Sequence, residues 1–331
     1  MGAETSLVKF LKQTNIEVPL ICGAMYPCSN PELVAAVSEA GGIGIVQPLS
    51  LVFVHRYNFR EGLQKIRSLT DKPIGLNVIT EKSSKTYQRR MSQWLDIALE
   101  EGVRFFVTSL GNPRWVVERV KPLGGVVYHD VTERKWALKG KEAGVDGIIC
   151  VNNRAGGHAG EKSAQELYNE MADLGLPLIC AGGVSMPEQF VKILAMGYEG
   201  VQMGTRFIAT EECTAHQDYK NAIVGARAED IVLTDKISGV PVAVIKTPYI
   251  EKIGTRANRL ARWLLRHPRF KHWMRALYSF IAAWKLKRAN LEGSGYKDYW
   301  QAGKSVDGVE RVESAGEIVG RFRAALHDVV A

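Results

Sequence analysis

Short apolar runs recur along this chain and alternate with segments whose apolar positions follow a helical period. The first two runs are 19–25 (PLICGAM) and 42–46 (GIGIV). Between them a helix is predicted over 31–40, with Pro31 in its first turn, where a missing N–H costs little. The alternation continues with a helix around 59–69, a strand at 73–78 (PIGLNV), a helix from 84 to 101 and a strand at 104–109 (RFFVTS). A short helix near 114–120 and a strand at 125–129 (GVVYH) follow, then a helix over 132–143 and a strand at 147–151 (GIICV). Helices over 163–174 and 187–196 precede the last two strands, 176–181 (LPLICA) and 200–203. Most of these runs lack a polar face, as parallel strands buried on both sides do. Eight strands with seven intervening helices predict an α/β fold, a TIM (β/α)8 barrel rather than an open doubly wound sheet. Residues before Pro19 read as an entry helix or arm. The expected division is a barrel over 1–235, a basic helical cap over 236–294 and a segment over 295–331 that returns to the barrel.

A barrel of this kind carries its functional groups at the C-terminal ends of its strands. Those ends hold Gly23, Ala24 and Met25 after the first strand, Asn77 at the third, and His129 and Asp130 at the fifth. Asn152 through His158 follow the sixth, Gly182 and Gly183 the seventh, and Gly204 and Thr205 the eighth. Each glycine alone signals a turn. Taken together, the seventh and eighth ends form the place where such barrels receive a phosphate on backbone N–H groups, with Ser185 expected to cap the next helix. His158 is flanked by Gly156, Gly157 and Gly160, which allow the backbone to approach a ligand closely. An imidazole there can accept or donate a proton near neutral pH, against the plainer alternative of a turn-capping histidine. The sequence contains neither a Walker motif nor a GxGxxG opening a βαβ unit, which argues against ATP and Rossmann-type nucleotide binding.

The chain has 331 residues and 46% hydrophobic content, enough for a large core. It contains no long uncharged apolar run and no secretory signal pattern at its N-terminus, so a cytoplasmic protein is expected, with peripheral membrane docking as the alternative. Its five cysteines lack metal-type pairing, so neither disulfides nor a metal site is expected. The net charge of +8 is concentrated in one place: positions 252–291 hold eleven Lys and Arg and no Asp or Glu. Nucleic acid is therefore not implied by the pI, since no recognition motif accompanies the charge.

That basic segment predicts two helices divided at Pro268. In the second, Phe270, Trp273, Met274, Leu277, Tyr278, Ile281 and Trp284 make an apolar stripe at helical spacing. The expected arrangement is a cap over the barrel mouth. The alternative is that 257–291 docks on an anionic membrane or an acidic acyl carrier.

The motifs PLICGAM, AGGIGIV, PIGLNV, AGVDGIICV with AGGHAG, PLICAGG and VQMGTRFIATEEC, spread over 19 to about 220, resemble those of the FMN-dependent nitronate monooxygenases. That family also includes flavin-dependent quinone and enoyl-acyl-carrier-protein reductases. The resemblance implies an FMN across the barrel top, its phosphate held at Gly182, Gly183, Gly204 and Thr205. Gly23, Ala24, Met25 and Asn77 would line the ring system, with His129, Asn152 and Gly157 around it and His158 as catalytic base or proton donor. The implied reaction is oxidation of alkyl nitronates with O2 to carbonyl compounds and nitrite; the alternatives are NAD(P)H-dependent reduction of a quinone or enoyl thioester, or a membrane-docking flavin-binding protein. Some members carry a lysine after the fifth strand where this chain has Asp130, so either His129 supplies that function or the flavin behaves differently. The stretch 295–308 (GYKDYWQAGKSVDG) resembles a diverged C-terminal family motif and nominates Tyr296, Tyr299, Trp300 and Lys304 as substrate-lining residues.

Overall fold

The computed structural model describes residues 3–81, 85–236, 239–257, 271–293 and 299–330. Eight strands close into a parallel barrel in sequence order: β1 (Leu20–Cys22), β2 (Ile43–Val46), β3 (Ile74–Ile79), β4 (Phe105–Ser109), β5 (Val126–Val131), β6 (Gly147–Val151), β7 (Leu178–Ala181) and β8 (Gly200–Met203). Closure is made by β1 against β8, with Leu20 paired to Val201 and Cys22 to Met203. The TIM barrel expected from the alternation is what forms. Helices such as Pro31–Glu39, Lys85–Glu100 and Pro187–Ala195 cover the outside, burying Leu33, Trp94 and Phe190 among others.

Alternation along each strand sorts residues between two cores. Leu76, Val78, Val127 and Val201 face the helices. Ile21, Ile45, Phe105, Tyr128, Ile149 and Ile179 fill the barrel interior. The bottom of the interior is stoppered by Phe10 from the N-terminal helix Ala3–Thr14, its ring centroid 5.5 Å from Tyr128 and 6.2 Å from Phe105. The backbone N–H of Phe10 donates to Glu199 (3.2 Å), and the Tyr128 hydroxyl donates to Gln13 (2.7 Å). The entry helix is therefore part of the barrel core.

Two features depart from expectation. A two-stranded antiparallel hairpin, β9 (Ile231–Thr234) and β10 (Val242–Ile245), spans position 235, so the expected barrel boundary falls inside a hairpin. Its strands are only four residues long, too short to show a clear period in the sequence. Further on, the helix Lys271–Glu292 reaches the barrel mouth through Ala282, Ala283 and Leu286. Trp284 of the expected stripe is instead half exposed, with the Arg288 guanidinium 5.4 Å from its ring. Pro268, Phe270 and Tyr296 lie outside the described residues, as do the side chains of Trp273, Met274, Leu277 and Tyr278. Lys287 ties this helix to the barrel by donating to the carbonyl of Phe53 (2.6 Å), which lies in the wide, π-type helical turn Ser50–Val54 after β2.

Candidate active site

Above the apolar interior, strand positions of the same parity turn polar. Two residues beyond Gly75, Tyr128 and Gly200 stand Asn77, Asp130 and Gln202, and all three line a cavity of about 990 Å³ at the C-terminal end of the barrel. Asn77 donates to the Val107 carbonyl (3.3 Å), and Gln202 hydrogen-bonds the Asp130 carboxyl. Gly23 keeps the floor open, since a Cβ there would lie 3.0 Å from the Gln202 side chain. Burial holds Asp130 protonated to unusually high pH, its pKa raised to about 7 with Gln202 opposing the rise.

His129, the neighbour in β5, points the other way. Its Nδ1 lies 2.8 Å from Thr108 Oγ1 and 3.1 Å from the Thr108 carbonyl, and a Cβ on Gly140 of the helix Arg134–Glu142 would lie 3.3 Å from its ring. Burial lowers its pKa to about 4, the bond to Thr108 opposing, so the ring is neutral. His129 borders the cavity but its imidazole is turned to the helix layer, and Asp130 takes the inward place. The sequence offers two adjacent polar residues, and strand parity through Tyr128 decides between them.

The ends of β7 and β8 form a glycine cradle. Gly182 (φ +113°) and Gly183 (φ +82°) adopt the left-handed region, and a Cβ on Gly182 would sit 2.5 Å from Asn152 Oδ1 and 2.6 Å from the Ala155 nitrogen. Among the described residues, the N–H groups of Gly182, Gly183 and Gly204 have no protein acceptor. Unmet donors converging on a cavity suit an anion. Asn152 is buried and does not line the cavity: its Nδ2 donates to the Gly182 carbonyl (2.9 Å) and its Oδ1 accepts from Arg154 N–H (2.8 Å). It positions the cradle from behind. Ser185 is not the helix cap expected; Met186 precedes Pro187–Ala195, and Gln189 Oε1 accepts from the N–H groups of Ser185 (2.8 Å) and Met186 (3.1 Å).

The loop after β6 brings His158 to the cavity wall. Gly157 (φ +66°) accepts from Ala243 N–H of β10 (2.7 Å), so the hairpin braces the histidine loop. The ring is open to the cavity, yet protein encloses it closely enough for desolvation to lower its pKa, with Glu81 opposing as the smaller influence. A depressed pKa leaves a neutral imidazole able to accept a proton at pH 7.

The C-terminal strap completes the wall, but with different residues from those expected. Gln301 and Ser305 line the cavity, whereas Tyr299, Trp300 and Lys304 do not. Trp300 is buried, stacked on Tyr219 with centroids 5.7 Å apart and planes 11° apart, and its carbonyl accepts from Ile245 N–H (2.9 Å). Tyr299 is buried beside it. Lys304 uses its N–H to reach the Arg154 carbonyl (2.9 Å). Gly303 donates to Thr205 Oγ1 (2.9 Å) and passes so close to the histidine loop that a Cβ would lie 2.6 Å from the Gly156 nitrogen. In the sequence the small Ala302–Gly303 pair signals this close approach, while the aromatic residues beside it belong to the packed side.

The nitronate monooxygenase family model covers residues 8–322. The chain belongs to the nitronate monooxygenase family. Enzymes of that family are flavin-dependent oxidoreductases. A probable nitronate monooxygenase from Staphylococcus saprophyticus is 29% identical, with 72% of this chain and 78% of that protein covered. A (3aS,4S,5R,7aS)-5-hydroxy-7a-methyl-1-oxo-octahydro-1H-indene-4-carboxyl-CoA dehydrogenase from Rhodococcus jostii is 27% identical, covering 73% of this chain and 67% of that one. Among solved structures, FabK from Thermotoga maritima superposes with a TM-score of 0.79 at 28% identity, over 97% of this chain and 96% of its own. A nitroalkane oxidase from Streptomyces ansochromogenes, at 22% identity and a TM-score of 0.74 over 97% of this chain and 99% of its own, shares the fold. Among the described residues no helix is long and apolar enough to cross a membrane.

Proposed function

We propose that this protein is an FMN-dependent oxidoreductase that oxidises alkyl nitronates with O2 to carbonyl compounds and nitrite. The observation that carries this reading is His158, a neutral imidazole on the wall of a cavity that the glycine cradle also lines. The residues fit a flavin mononucleotide: Gly182, Gly183 and Gly204 have N–H groups to spend on a phosphate, and Asn77 and Gln202 offer polar atoms beneath a flat ring. Bound FMN would supply the redox chemistry. The chain's own residues do the rest: the cradle holds the phosphate, Thr205 fixes the strap over it, and His158 can hydrogen-bond the nitronate oxygens or take the carbon-bound proton of the parent nitroalkane to give the nitronate.

A second reading, reduction of an enoyl thioester or quinone with NAD(P)H, is favoured by the rim. Leu110, Trp136 and Val240 are exposed apolar residues that line the cavity mouth, more apolar surface than a small nitronate needs. One experiment separates the two. The purified protein is examined by visible absorption, then mixed anaerobically with propionate-3-nitronate, NADH or NADPH. Bleaching by the nitronate alone supports the oxidase; bleaching within seconds by a nicotinamide transfers the assignment to the reductase; a colourless protein that binds no FMN overturns both.

A further inference from the structure

The floor of the cavity contains a carboxyl group that the function proposed above leaves unused. Asp130 lies on β5, between β4 and β6, with its side chain directed inward beside Gln202 of β8. Its Oδ1 and the Oε1 of Gln202 are both buried and, among the described residues, both without a hydrogen-bond partner. Two bare acceptors side by side are costly, because an ionised carboxylate has no proton to offer and no charged group among the described residues compensates it. A proton on Oδ1 converts one of them into a donor aimed at whatever lies above.

No charged side chain sets the state of this group. The titratable residues around the same cavity are His129, His158, Tyr26, Cys28, Lys139 and Tyr219. None of them contributes to the shift in Asp130, which arises from burial with the Gln202 hydrogen bond opposing. Asp130 is the acidic residue on the floor, and apart from the Gln202 hydrogen bond nothing among the described residues favours its ionised form.

We propose that Asp130 is a proton-holding residue that balances negative charge arriving in the cavity: when two electrons are delivered to a bound flavin, Asp130 takes one proton from solvent. When the electrons leave, the same proton returns to solvent. The proton on Asp130 is additional to any bound by the ring itself, and no covalent bond to carbon is made or broken at this residue. The inference rests on the flavin assignment for the source of charge, while the state of Asp130 can be read without a flavin. Since Asp130 titrates near neutrality, it is ionised before reduction above about pH 7 and gains its proton there; below about pH 6 it is already protonated and gains none.

The test has two arms. In the first, the flavin-free protein is titrated by infrared difference spectroscopy, comparing wild type with Asp130→Asn and Gln202→Leu. A protonated carboxyl band that disappears with a midpoint close to neutrality, absent in Asp130→Asn and shifted to higher pH in Gln202→Leu, is the expected result. A midpoint below about pH 5 would overturn the proposal. In the second, FMN-loaded protein is photoreduced in dilute buffer containing a pH indicator. Wild type should take up about one proton more per flavin than Asp130→Asn near pH 8 and the same number near pH 6; equal uptake at both removes the coupling. A protein that binds no FMN would sink the flavin assignment, while the infrared titration would still decide the state of Asp130.

Discussion

His158 and Asp130 are both pushed toward their neutral forms by the same enclosure, and the consequences have opposite signs. For His158 the lowered pKa keeps a base available at neutral pH. Replacing it by Ala is expected to leave FMN bound and to reduce turnover of a neutral nitroalkane, whose carbon must lose a proton, about 100-fold or more, measured as kcat with the visible flavin spectrum as the control. For Asp130 the folded pKa lies above the usual carboxylate value, so the folded state binds more protons than the unfolded one between about pH 4 and pH 7. Its contribution therefore erodes stability as pH rises through that window. Asp130→Asn should be more stable than wild type at pH 8, on the order of 2 kcal/mol, with the difference vanishing below pH 4 in thermal melts. The inward direction of Asn77 and Gln202 is legible in the sequence from strand periodicity, because a polar side chain two places beyond an interior position shares its face. The choice between His129 and Asp130 is harder: both are polar, and only the tyrosine two places before Asp130 reveals which one shares the interior.

At the scale of elements, the eight strands are legible because parallel strands buried on both faces must be nearly all apolar, and this chain writes them that way. The pair β9 and β10 is much less so. Leu233 of β9 is more than half exposed, so that strand carries a mixed pattern, and the purpose of the pair is tertiary: Ala243 and Val244 of β10 brace Gly157 and Gln301 of the strap. Elements whose value lies in what they touch leave little periodic trace. The glycines record such contacts better than the apolar pattern does. Gly303→Ala would drive a methyl into the Arg154 carbonyl and the Gly156 nitrogen, both 2.6 Å from the added carbon, with no flexible side chain to yield. It should lower FMN affinity at least tenfold in equilibrium titration while leaving far-ultraviolet circular dichroism unchanged. Gly316→Ala, on the helix Ala315–Val330 with open space beyond, is the matched control and should change neither.

Across the whole molecule, the two chain ends secure opposite faces of one barrel. Phe10 stoppers the bottom, and Phe10→Ala should cost about 3–5 kcal/mol in denaturant unfolding, since the ring has no exposure and the cavity left behind is walled by other aromatic rings. Near the other end, Glu313 is gripped by Arg321 (2.8 Å), by Arg311 (3.0 Å) and by the buried Arg206 that follows β8. Hydrogen bonds from Arg321 and Arg311 together with the Arg206 charge hold its pKa down to about 2. The stabilisation is thus complete above about pH 4.5 and is lost as pH falls toward 2; Glu313→Gln should cost about 3 kcal/mol at pH 7 and progressively less in acid. The strap held by this clamp joins residue 303 to residues 156 and 205, partners separated by up to half the chain. During synthesis all eight strands leave the ribosome before the segment that walls the cavity exists. A nascent barrel would therefore present its glycine cradle without a closing wall, and the finished binding site can be assembled only after residues 299–305, about a hundred residues beyond β8, have emerged.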